Sequence, residues 1–104
     1  MAVDLRTVRN FPAFRNFTGA VTWTEVKLPE NCSRVQIGCD AAKLYVSDVG
    51  TDGGAVTPAS DDLGFIPQNN YLTFHLGRGS TKQDIIYIAA TTGTPQISIL
   101  LEEL

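Results

Sequence analysis

The chain has 104 residues, of which 43% are hydrophobic and 18% are charged, and its formal net charge at pH 7 is −3. This length indicates one domain with a modest core, and the composition excludes a disordered chain. The acidic balance leaves no whole-chain cationic footprint for nucleic acid, and no stretch approaches the ~20 apolar residues of a membrane helix. The N-terminus lacks a basic and apolar leader, so we expect a chain made in a cytoplasm.

The first twenty residues differ in character from the rest, and we predict an N-terminal arm over 1–20 followed by a β-sandwich domain over 21–104. The segment holds three of the five phenylalanines and three arginines, and Pro12 disfavours a helix through the residue before it. Aromatic and arginine side chains are preferred anchors at protein interfaces. Either the rings complete the domain's own core, or the arm reaches a neighbouring subunit. The candidate interface residues are Arg6, Arg9, Phe11, Phe14, Arg15 and Phe17.

Three strands are predicted after the arm. The first, over 21–29, has Val21 and Trp23 on the face opposite its other apolar residues, which indicates a bulge or a covered outer face. The runs at 33–39 and 43–49 each alternate apolar and polar residues, and the short turn between them predicts a hairpin.

Two cysteines, Cys32 and Cys39, flank the second of these strands. In a cytoplasmic chain they are expected to be reduced, and a disulfide would require strand geometry that brings them together. Two cysteines without histidine neighbours are too few ligands for a zinc site.

Residues 50–64 are rich in Gly, Asp, Ser and Pro, which predicts the longest loop of the chain, with one short strand at 55–57. Beyond it, dense apolar runs at 71–77, 84–90 and 96–104 are separated by short polar stretches. This spacing predicts consecutive antiparallel strands joined by turns.

The faces of these last strands follow from their alternation. The run 84–90 is apolar on both faces, which is typical of a central strand. Glu102 and Glu103 are expected to guard the last strand against edge pairing. The predicted core residues are Leu72, Phe74, Leu76, Ile97, Ile99 and Leu101.

Together these elements predict an all-β fold, an antiparallel β-sandwich of jelly-roll or Greek-key type with an N-terminal arm. Six to eight strands at intervals of about ten residues, joined by Gly-rich turns, are typical of such folds.

No pattern in the sequence predicts a catalytic site, so we expect that the protein is not an enzyme. His75 is the only histidine, and a triad would need it beside a nucleophile such as Ser80 and an acid such as Asp84, without the GxSxG motif. The GxG in 75–80 lacks a following helix and GK[ST], so a strand-connecting turn with Arg78 at its tip is predicted rather than a phosphate loop.

We expect no cofactor and no metal. The adjacent carboxylates Asp61 and Asp62 diverge in extended chain, and the loop 48–54 lacks the ligand spacing of an EF-hand. Four aromatic residues either stack on sugars, if they align on one exposed face, or form cross-strand pairs. They are Trp23, Tyr45, Tyr71 and Tyr87.

Residues 22–104 resemble small virion proteins of tailed bacteriophages. The resemblance is carried by W-T-x-V-x-L-P, R-V-x-I, L-Y-V-S with a Gly-rich loop, an I-P entry to a strand, I-Y-I-A-A with T-G, and a hydrophobic-acidic close. It implies a jelly-roll-like capsid decoration (cement) protein on the outer capsid surface of the virion. Its implied partners are the major capsid protein and further copies of itself, as a homo-dimer or homo-trimer, with no nucleic acid and no membrane.

The sequence therefore indicates two candidate functions. One is a decoration protein, made in the host cytoplasm, that stabilises the shell by bridging neighbouring subunits. The alternative is a tail or fibre-tip domain that binds host surface glycans through Trp23, Tyr45 or Tyr71. A small hydrolase ranks behind both.

Overall fold

The structure, a computed structural model, describes residues 2–77 and 82–103 and is built from β-strands in two packed sheets. The all-β sandwich prediction is confirmed. The strands of the described residues are β1 (Val3–Asp4), β2 (Ala13–Thr18), β3 (Thr24–Lys27), β4 (Arg34–Cys39), β5 (Leu44–Ser47), β6 (Leu63–Ile66), β7 (Asn70–His75), β8 (Ile85–Ala90) and β9 (Gln96–Glu102).

Successive strands mostly alternate between the two sheets. Sheet I has the order β1-β3-β8-β5-β6, and sheet II has the order β2-β9-β4-β7. The short β1 runs parallel to β3, and all the other pairs are antiparallel.

The antiparallel pairs are nested within one another. β5 pairs with β6, β4 with β7, β3 with β8, and β2 with β9. The chain from β2 to β9 is therefore one long hairpin that turns between β5 and β6 and is coiled so that its pairs fall in both sheets. The further pairs β4 with β9 and β5 with β8 complete the sheets.

Two predictions of strand adjacency were wrong. The strands at 33–39 and 43–49 do not form a hairpin, because β4 lies in sheet II and β5 in sheet I. The three C-terminal strands do not pair consecutively either, because β8 lies in the sheet opposite β7 and β9. The alternation of apolar and polar residues shows which face of a strand is buried. It does not show which of the two sheets the strand belongs to, because both sheets bury one face in the same core. The short strand predicted at 55–57 is also absent, and the strand of this region is β6.

The core lies between the sheets and contains the predicted central residues. Ile97, Ile99 and Leu101 of β9 are buried as predicted, and β8 is central, with β3 and β5 beside it. The fully buried branched side chains of the described chain include Val26, Val35, Ile37, Leu44, Ile66, Ile88, Ile97, Ile99 and Leu101.

Two details of the predicted faces need correction. Leu76 is buried and Phe74 half-buried, but Leu72 is 39% exposed, because β7 is an edge strand of sheet II. Glu102 does not guard an edge, because β9 lies between β2 and β4 and the Glu102 carboxylate accepts a hydrogen bond from the Arg34 guanidinium at 2.7 Å.

The N-terminal segment contributes a strand to each sheet. β1 lies beside β3, and all six residues of β2 pair with β9. Leu5 and Ala13 are buried in the core, and Phe11 and Phe17 pack against it. These two rings thus complete the domain's own core, one of the two readings left open. The boundary between an arm and a domain at residue 20 stays a prediction.

Cys32 and Cys39 are both free and buried thiols. The Cys32 thiol donates a hydrogen bond to the Arg34 carbonyl oxygen at 3.4 Å, and burial raises the pKa of this thiol. Both thiols are therefore in the reduced state that the sequence predicts.

Candidate interaction surface

The loop between β5 and β6 covers part of the outer face of sheet I. Trp23 is buried under it, and its backbone exchanges hydrogen bonds with the loop, donating to the Gly54 carbonyl at 2.8 Å and accepting from Gly53 N–H at 2.7 Å. Gly50 packs so closely that a Cβ there would lie 2.9 Å from Cγ of Tyr87. Of the two residues that predicted a bulge or a covered outer face, Trp23 is covered, whereas Val21 is 53% exposed.

Side-chain hydrogen bonds also hold this loop to sheet I. The Ser47 hydroxyl donates to the Asp62 carbonyl oxygen at 2.8 Å, and the Asp52 carboxylate accepts from the Glu25 backbone N–H at 3.0 Å. The latter bond lowers the pKa of Asp52, because it stabilises the ionised carboxylate. Sheet I therefore presents loop, rather than bare strand, over the part of its outer side around Trp23, Glu25 and Tyr87.

Sheet II has an outer face formed by the outward residues of its four strands, which we call the open face. Side chains on one face of neighbouring strands form rows across a sheet. One row is Phe14, Leu100, Gln36 and Thr73, and the next is Asn16, Ser98, Gly38 and Tyr71.

Neither of these two rows contains a charged side chain. Charge begins one row further along, where Arg34 and Glu102 form an ion pair at 2.7 Å and His75 lies beside Arg34. An uncharged face loses little hydration free energy when a partner covers it, because no ion must be desolvated. This property suits the open face to binding a macromolecule.

Phe14 is the most exposed large hydrophobic side chain of the described chain, at 68%. It lies on β2 opposite Leu100, at one side of the open face. Aromatic side chains, phenylalanine included, are enriched at the cores of protein interfaces.

Tyr71 lies at the other side of the open face and is 46% exposed. Its ring crosses Gly38, where a Cβ would lie only 2.0 Å from Cδ1 and 2.3 Å from Cε1 of the ring. The close approach explains a glycine in the interior of β4, where this residue otherwise weakens a strand. Gly38 thus allows the Tyr71 ring to lie along the sheet.

The structure separates the six predicted interface residues. Phe14 is on the open face and Arg15 is exposed beside it, with its guanidinium donating to the Phe14 carbonyl at 2.8 Å. Phe11 and Phe17 pack against the core.

Arg6 and Arg9 lie away from the open face, around a groove of sheet I that Lys27, Glu30 and Asp84 also line. Arg6 forms an ion pair with Asp4 at 2.6 Å, which holds the pKa of that carboxyl far below its usual range. Because both acidic and basic side chains line it, this groove has no strongly basic character.

The four aromatic residues considered for sugar stacking do not share one exposed face. Trp23 is buried, and Tyr45 forms a cross-strand pair with Phe65, with ring centroids 5.5 Å apart. The Tyr87 hydroxyl donates to the Glu25 carboxylate at 3.3 Å, and burial, followed by the Glu25 charge, raises the pKa of Tyr87. Of the four, Tyr71 alone is on the open face.

The residues weighed for catalysis and metal binding are spread out. His75 is exposed at the end of β7, and Asp84 is exposed and paired with Lys82 at 3.1 Å. Ser80 and Arg78 lie outside the described residues. Within residues 2–77 and 82–103, no three side chains of His, Cys, Asp or Glu are grouped so as to hold a metal ion.

Most of the open face was missed from the sequence. None of Gln36, Thr73, Ser98 and Leu100 was predicted to belong to a common surface. The available signal was the lack of charge at these outward positions. Only the strand order shows that they are neighbours.

No protein-family model matches this sequence, and no curated protein and no solved structure is significantly similar to it. Among the described residues, there is no apolar helix of the length that crossing a bilayer requires.

Proposed function

We propose that the protein is a jelly-roll capsid decoration (cement) protein of a tailed bacteriophage, which binds the outer capsid surface and stabilises the shell by bridging neighbouring subunits. The observation that carries this proposal is the open face of sheet II, which is uncharged over two rows and displays Phe14 at 68% exposure. The resemblance of residues 22–104 to small phage virion proteins supplies the identity of the partner.

The jelly-roll assignment is supported by the strand orders. Without β1, the two sheets are β2-β9-β4-β7 and β3-β8-β5-β6, with the pairs nested around the turn between β5 and β6. Eight strands wound in this way form two Greek keys, an arrangement found in viral capsid and lectin domains. A fold of this kind hosts many functions, so the proposal depends on the surface rather than on the topology.

The proposed mechanism is association alone. Phe14 inserts into an apolar recess of the capsid, the uncharged rows exclude water around it, and Arg15 pairs with an acidic group at the rim. Contacts that span two capsid subunits add to the free energy needed to separate them, so the shell resists the internal pressure of packaged DNA. No substrate is transformed, and no cofactor takes part.

The proposal is tested by measuring the binding of the pure protein to capsids that lack it. Phe14→Ser should weaken binding about fivefold or more, since truncating an aromatic anchor typically costs more than ~1 kcal/mol. The fold should persist, because this side chain is mostly exposed. Heat-challenged capsids should also lose their added stability with the variant.

The matched control is Phe65→Ser, which removes a phenylalanine that is 49% exposed on the outer side of sheet I. It should bind capsids like the unchanged protein. Equal occupancy by Phe14→Ser and the unchanged protein on heat-challenged capsids would refute the proposal.

A second candidate function, a tail or fibre-tip domain that binds glycans, is favoured by one observation. The Tyr71 ring lies along the sheet over Gly38, and its neighbours Thr73 and Gln36 offer hydroxyl and amide groups. An aromatic plane with uncharged hydrogen-bonding neighbours suits a neutral sugar. Glycan-array binding that disappears in Tyr71→Ala, together with unaltered capsid occupancy by Phe14→Ser, would favour this candidate.

A further inference from the structure

The four strands at the edges of the two sheets differ in how well they are protected against pairing with another chain. Exposed edges are normally blocked by charge, proline, bulges or short length. β1 has two residues, one of them Asp4. β6 has four residues, includes Gly64 and is followed directly by Pro67.

β2 is long enough to pair with a strand of another chain, but it has a charged residue at a position whose partner on β9 faces the core. Arg15 is opposite Ile99, which is fully buried, so Arg15 occupies an inward register position although its own side chain is exposed. An inward-pointing charge on an edge strand is an established device against pairing. A second copy of β2 would bring two such arginines together.

β7 has none of these protections. Its six residues, Asn70–His75, include no Asp, Glu, Lys, Arg, Gly or Pro. One edge pairs with β4, and none of the described strands pairs with the other. Leu72 is 39% exposed although its register partner Ile37 is fully buried, so within residues 2–77 and 82–103 the core lacks full cover at this edge.

We infer that β7 is the self-association element of this protein, pairing antiparallel with β7 of a second copy about a two-fold axis. A second copy fits this edge because the strand is uncharged, so that identical strands meet without like-charge repulsion. A two-fold interface brings the same patch of each copy together, which the antiparallel pairing of one strand with itself satisfies.

The side-chain faces restrict the register of the pair. Residues directly opposite each other share a face, so even-numbered residues of β7 must oppose even-numbered ones. If the two-fold axis passes beside Thr73, Leu72 of one copy lies opposite Phe74 of the other. If the axis passes beside Leu72, the Leu72 side chains of the two copies lie opposite each other. Either register buries the exposed leucine, and the five residues of β7 that overlap give a contact roughly 17 Å long.

Pairing through β7 would join the two open faces into one surface of eight strands. In each copy Phe14 is on β2, three strands away from β7, so seven strand spacings separate the two Phe14 side chains. At ~4.8 Å per spacing, these side chains would be roughly 34 Å apart. A dimer could then hold two capsid subunits at once. The pairing stands without the proposed function, and only this use of it rests on that proposal.

The test is the mass of the pure protein by light scattering over a range of concentrations. The unchanged protein should have the mass of two chains. Thr73→Lys and Thr73→Glu change an exposed side chain and should each give one chain, with a dissociation constant raised at least ~tenfold by the like charges. An equimolar mixture of the two variants should restore the mass of two chains, because opposite charges then face each other directly if the axis is at Thr73, or diagonally if it is at Leu72.

The matched control is Asn16→Lys, which adds the same charge to the exposed side of β2 and should leave two chains. The inference would be overturned if the unchanged protein had the mass of one chain or of three. It would also be overturned if the Thr73→Lys variant kept the mass of two chains. Capsid binding separates this outcome from the proposed function: a one-chain protein that binds capsids through Phe14 leaves that function standing without the β7 pair.

Discussion

The contact between Gly38 and Tyr71 shows how a single hydrogen atom in place of a side chain shapes the surface. The ring occupies the position that a Cβ at residue 38 would take. An aromatic side chain laid over a glycine compensates for the missing packing on that strand. It also fixes the orientation of the most exposed polar aromatic residue on the open face.

A double-mutant cycle measures this contact. Gly38→Ala should lower the free energy of unfolding by about 1–2 kcal/mol, because the Cβ displaces the ring. In a Tyr71→Ala background the same change should instead be neutral or stabilising by ~0.5–1 kcal/mol, since alanine restricts the unfolded chain more than glycine does. Chemical denaturation of the four proteins gives all the terms. Equal effects of Gly38→Ala in both backgrounds would contradict the contact.

At the scale of elements, β2 is essential to sheet II. It covers one edge of β9, whose Ile97, Ile99 and Leu101 lie at the centre of the core. Removal of the predicted arm would therefore strip a strand from the sandwich. A loss of capsid binding after such a truncation would report unfolding rather than a lost contact.

Deletion of residues 1–17 should abolish cooperative unfolding, because β2 and the buried Leu5 and Ala13 are lost together. A deletion that ends at Arg9 removes only β1 and the segment after it. It should retain a cooperative transition, lowered by about 2 kcal/mol for the lost burial of Leu5. Thermal melts followed by circular dichroism compare the two. A native-like melt after the longer deletion would show that β2 is dispensable.

The whole molecule is held by one core to which both sheets contribute, so its two thiols report on global opening. Cys32 is 0% exposed and Cys39 is 2% exposed. Both belong to the core cluster; Cys39 is the last residue of β4, and Cys32 lies two residues before its first. A thiol in such a place reacts only when the surrounding structure opens, because the reactive species is the solvent-accessible thiolate.

Neither cysteine should react with a thiol reagent at pH 8 in the native protein, and both should react in denaturant. The reaction rate should follow the unfolding equilibrium as denaturant is added. A cysteine introduced by Ala41→Cys, at an exposed turn position, is the positive control and should react at once. Rapid modification of one native thiol would indicate a local opening that the packed core does not predict.

Local chemistry was enough to predict most of the strands, because each alternation of apolar and polar residues requires one buried face. The runs around β4, β5, β8 and β9 were correct within a few residues, as were the buried residues of β9. The candidate site was only partly predictable. Phe14 was identified as an anchor from its residue type, whereas Arg6 and Arg9 were grouped with it because they are near in sequence, although they lie around a different groove.

The sequence by itself determined that this chain forms an all-β sandwich, since period-two patterns bury one side of each strand over short spans. Tertiary structure alone decided which strands are neighbours, because pairing in the nested hairpin joins residues up to 88 positions apart, as in Ala13 and Leu101. The tertiary structure also decided which of the two sheets has an outer face that no loop of the described residues covers. The loop after β5 settles on sheet I through hydrogen bonds to Trp23 and Glu25, and that leaves sheet II open.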